Sequence, residues 1–348
     1  MDSHVMELPR VIQIGYGVIK EVGEFLSKFS PESVLIVSGP IVWARVSKVV
    51  EDAFKEKGLT YRCLQINDST SKEVEVAEKT ARVFKADLIV GLGGGRAVDV
   101  AKLAAYNCQS MFVSIPTSAS HDGIASPFAS IKGGNRPYSY TTKPPIGVLA
   151  DVDLIAQAPQ RLLAAGCGDL ISKITAVRDW MLARDEKHEY YGNYAANLAL
   201  MSAEIVLSEA KGIGRGNKEY VRDVVEALIS AGVAAGIAGS SRPCSGAEHL
   251  FSHALDIIAP GIGLHGEKCG LGAIMMAKLH NLDWVKLRSA LYDVNAPVNA
   301  LKIGLDADQV AKALVLAPDI RPERYTILHK LRLSFEEAKM LAREVGVV

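Results

Sequence analysis

The sequence has no excess of charge: 39 Lys and Arg balance 39 Asp and Glu over 348 residues. No global field draws such a chain to nucleic acid or to an anionic membrane, so any charged substrate must be recognised locally. Long hydrophobic runs are missing too. None reaches the roughly 20 apolar residues of a membrane span, and no stable membrane insertion is expected. The first ten residues, MDSHVMELPR, lack the apolar core of a signal peptide. Cysteine is scarce. Cys63, Cys108, Cys167, Cys244 and Cys269 are scattered and odd in number, which argues against a disulfide framework and for a reducing, cytoplasmic setting. No internal repeat or low-complexity segment is present. What remains is ordinary globular composition, 49% hydrophobic and 22% charged, at a length suited to two domains.

Short apolar runs, Val34–Val37, Leu88–Val90 and Met111–Val113, are each followed by small or turn-forming residues. They read as buried parallel strands. Helical stretches such as Val46–Lys57 and Val74–Lys85 separate them. Thr141–Pro145 is expected to begin a crossover, and Val148–Asp151 to form a last strand. After Pro159 strand signals nearly vanish, and residues 161–179, 195–211, 219–239, 245–258 and 266–280 show helical spacing. The expected fold is α/β: a doubly wound, Rossmann-like parallel-sheet domain over residues 1–158, then an all-helical domain over 159–348.

One turn is unusually rich in glycine. The strand ending at Val90 runs into Gly91-Leu-Gly-Gly-Gly95-Arg-Ala-Val-Asp99 and then a helix. Gly93, Gly94 and Gly95 let backbone approach a ligand closely, and the helix start offers N–H groups and a positive dipole end to a phosphate. A tight turn without a ligand is the plainer reading, but three successive glycines exceed what a turn needs. Asp99 either complements the helix dipole or contacts a cofactor. Gly15-Tyr-Gly17 lacks a third glycine at dinucleotide-fingerprint spacing. A second polar turn, Pro116-Thr-Ser-Ala-Ser120-His-Asp-Gly-Ile-Ala-Ser126, sits where open α/β sheets bind ligands, and is otherwise a Ser-rich loop.

The helical half carries metal-type side chains. Gly166-Cys-Gly-Asp169 is expected to open a helix, Ser245-Gly-Ala-Glu-His249 leads to His253, and Gly263-Leu-His265-Gly266 precedes another helix. His249 and His253, four apart, share one helical face. Asp169, His249 and His265 would supply three N/O ligands with a fourth position open, as in catalytic zinc sites. Each also has a structural reading: Asp169 as an N-cap, each histidine as a hydrogen-bonded core residue. Cys167, Cys244 and Cys269 are rival thiolates, and spacing alone leaves these alternatives open.

Together these segments resemble the iron-dependent alcohol dehydrogenase and dehydroquinate synthase superfamily, and within it the sn-glycerol-1-phosphate dehydrogenase family of archaeal lipid synthesis. The likeness spans about Pro9 to beyond Asn295 and rests on Gly93–Asp99, Pro116–Ser126, Arg161–Asp169, Ser245–His249 and His265-Gly266. Ser120-His-Asp-Gly-Ile-Ala-Ser126 is its specific part, since glycerol dehydrogenases of the superfamily carry Ser-Thr-Asp-Ala there. The resemblance implies reduction of dihydroxyacetone phosphate to sn-glycerol 1-phosphate with NAD(H) or NADP(H) and a zinc ion (Zn2+) that polarises the ketone. It implies Asp169, His249 and His265 as metal ligands, setting the cysteines aside. Gly93, Gly94, Gly95, Arg96, Ala97, Val98, Asp99, Thr117, Ser118, Ala119, Ser120 and Ser126 are the implied cofactor contacts. Asp122 and His253 are implied as catalytic and substrate-binding residues, with Asp169 touching substrate as well as metal. A homo-oligomer is expected.

The substrate phosphate needs cations, for which Lys132, Arg136, Lys143 and Lys173 are candidates, each equally an ordinary surface charge. The turn Ser38-Gly39-Pro40 after the first apolar run carries no carboxylate to repel a 2′-phosphate, so use of both NADH and NADPH is expected. The rival activities are a glycerol dehydrogenase, a dehydroquinate-synthase-like lyase and a metal-free binding protein.

Overall fold

The computed structural model describes residues 4–133 and 139–348. It divides into two compact units: one runs to Ala119 and resumes at Gly123–Pro159, the other comprises Ser120–Asp122 and Gln160–Val348.

The first unit is a parallel sheet wound on both faces. Its strands are β1 (Val11–Gly15), β2 (Ser33–Ser38), β3 (Thr60–Gln65), β4 (Leu88–Gly93), β5 (Met111–Pro116) and β8 (Gly147–Asp151). They pair in parallel in the order β1-β8-β5-β4-β2-β3. Alternation along β2 shows how the sequence makes two faces. Val34 and Ile36 pack with Phe25, Val50 and Phe54 of α1 (Val22–Ser27) and α2 (Pro40–Lys57). Leu35 and Val37 pack with Val74, Ala77, Val98 and Ala101 of α3 (Ser71–Phe84) and α4 (Gly95–Cys108). A strand covered on both faces must be apolar throughout, which is why the run shows no polar alternation. Two elements differ from expectation. The edge strand β3 alternates rather than runs apolar and carries no continuous signal. Ser139–Thr141 is β7, paired antiparallel with β6 (Phe128–Ser130), so Thr141 closes a small hairpin instead of starting a crossover. The short α5 (Val152–Ala156) follows β8, capped by Asp151, which also accepts from the Gly17 and Ile19 N–H groups. Gly15-Tyr-Gly17 is thus a turn held by that carboxylate, with Gly17 at φ 69°.

The second unit is helical, with no strand among its described residues. Its helices are α6 (Gln160–Lys187), α7 (Asn193–Gly214), α8 (Lys218–Ala238), α9 (Ala247–Ile258), α10 (His265–Leu279), α11 (Trp284–Asp293), α12 (Ala307–Ile320), α13 (Ile327–Leu331) and α14 (Phe335–Glu344). Gly166-Cys-Gly-Asp169 does not open a helix: it lies inside α6, one of whose faces is buried along most of its length. The glycines serve a crossing. A Cβ on Gly168 would stand 2.3 Å from the Gly266 carbonyl oxygen, and one on Gly266 would stand 1.8 Å from that of Ala165. Backbone therefore touches backbone where α6 meets α10. Gly272 does the same against Glu248, its Cβ position lying 3.0 Å from the Glu248 Cα, and so seats α10 on α9. No helix among the described residues is long and apolar enough to cross a membrane.

Candidate functional site

In the first unit the glycine turn has two causes. Gly91 and Gly93 are required by packing, since added Cβ atoms would come within 2.9 Å of the Val98 Cα and 2.8 Å of the Ala97 Cβ. Gly94 is the N-cap of α4 with an extended backbone, and its Cβ position looks toward Ser118 Oγ at 3.2 Å. Gly95 and the exposed Arg96 begin the helix, where unpaired N–H groups suit an anion. Thr117, Ser118 and Ala119 follow β5, and Thr117 N donates to Gly93 O at 2.9 Å, so the two turns lie side by side. Ser126 is buried, as are Ala97 and Val98, whose side chains serve the core. Asp99 is buried with its carboxylate 3.8 Å from Lys102 Nζ, and that ammonium donates to the Gly123 and Phe128 carbonyls at 2.6 and 2.7 Å. Ser38 is fully buried, and at Gly39 a Cβ would meet nothing nearer than 4.0 Å.

In the second unit the crossings of α6, α9 and α10 bring three side chains to one point. Asp169 Oδ1 lies 3.4 Å from His249 Nε2 and 4.0 Å from His265 Nε2. Ligand atoms at roughly 2.0–2.1 Å from a tetrahedral zinc stand about 3.4 Å apart, so this set fits such an ion. Cys269 Sγ belongs to the same group, 3.5 Å from His265 Nε2, one turn along α10. Cys167 and Cys244 are placed otherwise. Burial pushes both thiols up, and Cys244 Sγ donates to the Ala231 carbonyl. Burial also raises the Cys269 thiol. Of the carboxylate and imidazoles, Asp169 is 1% exposed and His265 35%, so the cluster is open on the His265 side.

The other nitrogen of each imidazole is also held. His249 Nδ1 lies 2.9 Å from Glu248 Oε1 and His265 Nδ1 lies 3.4 Å from Ser252 Oγ. A carboxylate only accepts, so Glu248 keeps the proton on Nδ1 and turns the Nε2 lone pair toward the cluster, the arrangement of a histidine ligand backed by an acid. Glu248 is fixed in turn by the Gly246 N–H at 2.7 Å and by Thr175 Oγ1 at 3.0 Å. Sequence reading passed over this residue, although it adjoins His249 in the quoted motif. Burial disfavours charge on His249, but Cys269, Asp169 and Glu248 outweigh it and hold its pKa well above the usual imidazole range. Burial and the neighbouring His249 charge push His265 well below, leaving it neutral as a ligand must be.

Asp122 and Lys173 complete this side. Lys173 is fully buried in α6, and its Nζ donates to Asp122 Oδ2 at 2.7 Å, Asp169 Oδ1 at 2.8 Å and the Cys244 carbonyl at 3.3 Å. Asp122 N donates to Asp169 Oδ2 at 2.9 Å. Burial would lift Asp169, but Lys173 and the two histidines hold it well below the ordinary carboxylate range. With three acceptors on three protons, Lys173 is neither a surface charge nor available to a phosphate. The remaining cations expected for that role are no better placed: Lys132 pairs with Asp68 at 3.1 Å and Lys143 with Glu7 at 3.3 Å, both on the surface, and Arg136 lies outside the described residues. His253, buried one turn after His249, has its Nδ1 3.9 Å from Asp256 Oδ2 and without a hydrogen bond.

Residues 13–159 match the family model of iron-containing alcohol dehydrogenases. Over its full length the chain is 52% identical to the glycerol-1-phosphate dehydrogenase [NAD(P)+] of Cenarchaeum symbiosum, covering 98% of that protein. It is 48% identical to the enzyme of the same name from Hyperthermus butylicus, with 99% of each covered. Among solved structures, a probable glycerol dehydrogenase from Sinorhizobium meliloti superposes with a TM-score of 0.83 at 20% identity, covering 99% of this chain and 98% of that one. This last likeness concerns the fold alone.

Proposed function

The chain belongs to the glycerol-1-phosphate dehydrogenase family, and on that premise we propose that it is a zinc-dependent oxidoreductase that reduces dihydroxyacetone phosphate to sn-glycerol 1-phosphate with NADH or NADPH. The product serves as the glycerophosphate backbone of archaeal-type membrane lipids. The observation that supports metal chemistry is the convergence of Asp169, His249 and His265 with Glu248 and Ser252 behind the imidazoles. When bound, the nicotinamide supplies a hydride, and a zinc ion supplies Lewis-acid polarisation of the ketone.

The chain's own residues do the rest. Lys173 bridges Asp122 and Asp169, and its one positive charge offsets much of the repulsion between two carboxylates that would face one small substrate. Asp122, held by Lys173 through Oδ2, is the carboxylate suited to accept a substrate hydroxyl. His253 is kept neutral at ordinary pH, mainly by burial, and its Nδ1 has no hydrogen bond. As a neutral imidazole it would relay rather than donate outright, passing the proton of one ring nitrogen to the product oxygen while the other nitrogen takes one from water. On the cofactor side, the Gly94–Arg96 helix start suits the pyrophosphate, and the open space at Gly39 admits a ribose with or without a 2′-phosphate.

The test is oxidation of NADH and of NADPH by the purified protein with dihydroxyacetone phosphate, before and after chelation. Turnover with both cofactors, with kcat/KM within about tenfold of each other, lost on chelation and restored by zinc, is the expected result. Equal turnover of free dihydroxyacetone would favour a glycerol dehydrogenase. Conversion of a substrate without net NADH consumption would favour the lyase.

A further inference from the structure

Three arginines gather where the loop entering α9 meets the segment after α12. Arg242 is buried, and its guanidinium grips Glu189 with two nitrogens, Nε at 2.6 Å from Oε1, and gives Nη1 to the Tyr325 carbonyl at 2.9 Å. Arg324 gives Nη1 to the Ser245 carbonyl at 2.7 Å and Nη2 to Ser241 Oγ at 2.8 Å. Arg321, the residue that caps α12, makes no ion pair or guanidinium hydrogen bond among the described residues. Three positive charges thus meet one carboxylate in contact, and that carboxylate belongs to Arg242.

The imbalance is costly where it lies. Burial and the neighbouring Arg321 and Arg242 push Arg324 down to about 9, and burial lowers Arg321 as well. A guanidinium drawn out of water is normally in contact with an anion. Glu323 bears on both of these half-buried groups and Glu189 on Arg324, but among the described residues neither carboxylate forms an ion pair with Arg321 or Arg324. The cluster also adjoins the metal centre. Arg324 holds the Ser245 carbonyl, and the next carbonyl back, that of Cys244, accepts from Lys173, which binds Asp122 and Asp169. From the other side, the charge of Arg321 bears on His253.

We propose that Arg321 and Arg324, with the Ser241 hydroxyl, receive the phosphate of a phosphomonoester substrate, and that this pair separates a phosphorylated ketone from its free counterpart. The paired nitrogens of a guanidinium match phosphate oxygens, and two such groups balance a dianion. The identity of the substrate rests on the proposed reduction; the presence of an anion site does not.

Two measurements on full-length, zinc-loaded protein decide it, with circular dichroism reporting the fold of each variant. In the first, inorganic phosphate is titrated calorimetrically into protein saturated with NADH, so that the glycine turn is occupied. Arg321→Gln and Arg324→Gln should each weaken phosphate by about tenfold or more, and Arg321→Lys should recover part of the loss. In the second, the ratio of kcat/KM for dihydroxyacetone phosphate to that for dihydroxyacetone should fall about a hundredfold in Arg321→Gln. Unchanged phosphate affinity in the folded Arg321→Gln variant, or an equal loss on both substrates, overturns the proposal. If the wild type reduces neither substrate, the proposed reaction fails, while the phosphate titration still decides the anion site.

Discussion

At the scale of single residues, the proposed metal cluster depends on groups that would not themselves touch the ion. Glu248 orients His249 from behind, and outer partners of this kind typically carry 10–100-fold in metal affinity. Glu248→Gln is therefore expected to weaken zinc by about that factor, read by competition with a chromophoric chelator, with the fold retained. Zinc affinity equal to wild type would show that the Glu248 contact does not tune the imidazole. His253 gives the opposite expectation. It shares a helical face with His249 but completes no part of the three-ligand set, so His253→Ala should keep most of the zinc while losing rate or raising KM for dihydroxyacetone phosphate. Metal loss matching that of His249→Ala would place His253 among the ligands. The residues proposed as ligands stood out in the sequence because acids and imidazoles beside glycine are conspicuous. Glu248, Lys173 and the arginines were not. Their roles follow from which neighbour each meets, and Lys173, Asp122 and Asp169 come from separated stretches of chain.

Among the helices, the glycines of α6 and α10 do for the proposed metal centre what a rigid frame does for any site: they fix the distance between Asp169 and His265, two of its proposed ligands. The Cβ position of Gly266 falls 1.8 Å from the Ala165 carbonyl oxygen, and backbone cannot yield there as a flexible side chain would. Gly266→Ala must push α10 away from α6 and carry His265 from Asp169. The expected cost is about 1–3 kcal/mol of stability, as for overpacking generally, together with weakened zinc binding. Chemical denaturation and metal titration of one sample measure both. A variant as stable as wild type with zinc bound normally would mean that the crossing relaxes freely. Sequence periodicity located these helices but misplaced the Gly-Asp motif at a helix start. Small residues followed by an acid imitate an N-cap, and only the tertiary crossing shows that the glycines belong in mid-helix. Likewise β2 and β4 were legible from their apolar runs, whereas β3, at the sheet edge, and the β6–β7 hairpin had no run to read.

For the molecule as a whole, the two chemistries are assigned to different compact units. Asp169, His249, His265, Glu248, Lys173 and Asp122 all lie in the helical unit, Asp122 through the short stretch Ser120–Asp122 that joins it. The glycine turn and the Ser38-Gly39 turn lie in the sheet unit. A ligand stabilises what it binds by mass action, about 2.7 kcal/mol at a concentration a hundredfold above its Kd. Such stabilisation appears as slower hydrogen exchange in the segments whose opening it opposes. Zinc should therefore slow exchange in α6, α9 and α10, and chelation should reverse it, with β4 and β5 unchanged. NADH added to the zinc-loaded protein should instead protect the starts of α4 and of the turn after β5, where Gly95, Arg96, Thr117 and Ser118 lie. Mass spectrometry of peptides from the two units distinguishes the patterns in one experiment. If chelation instead loosens β4 and β5 as much as α9 and α10, the metal does not act through the helical cluster alone, and the assignment of its ligands to that unit fails.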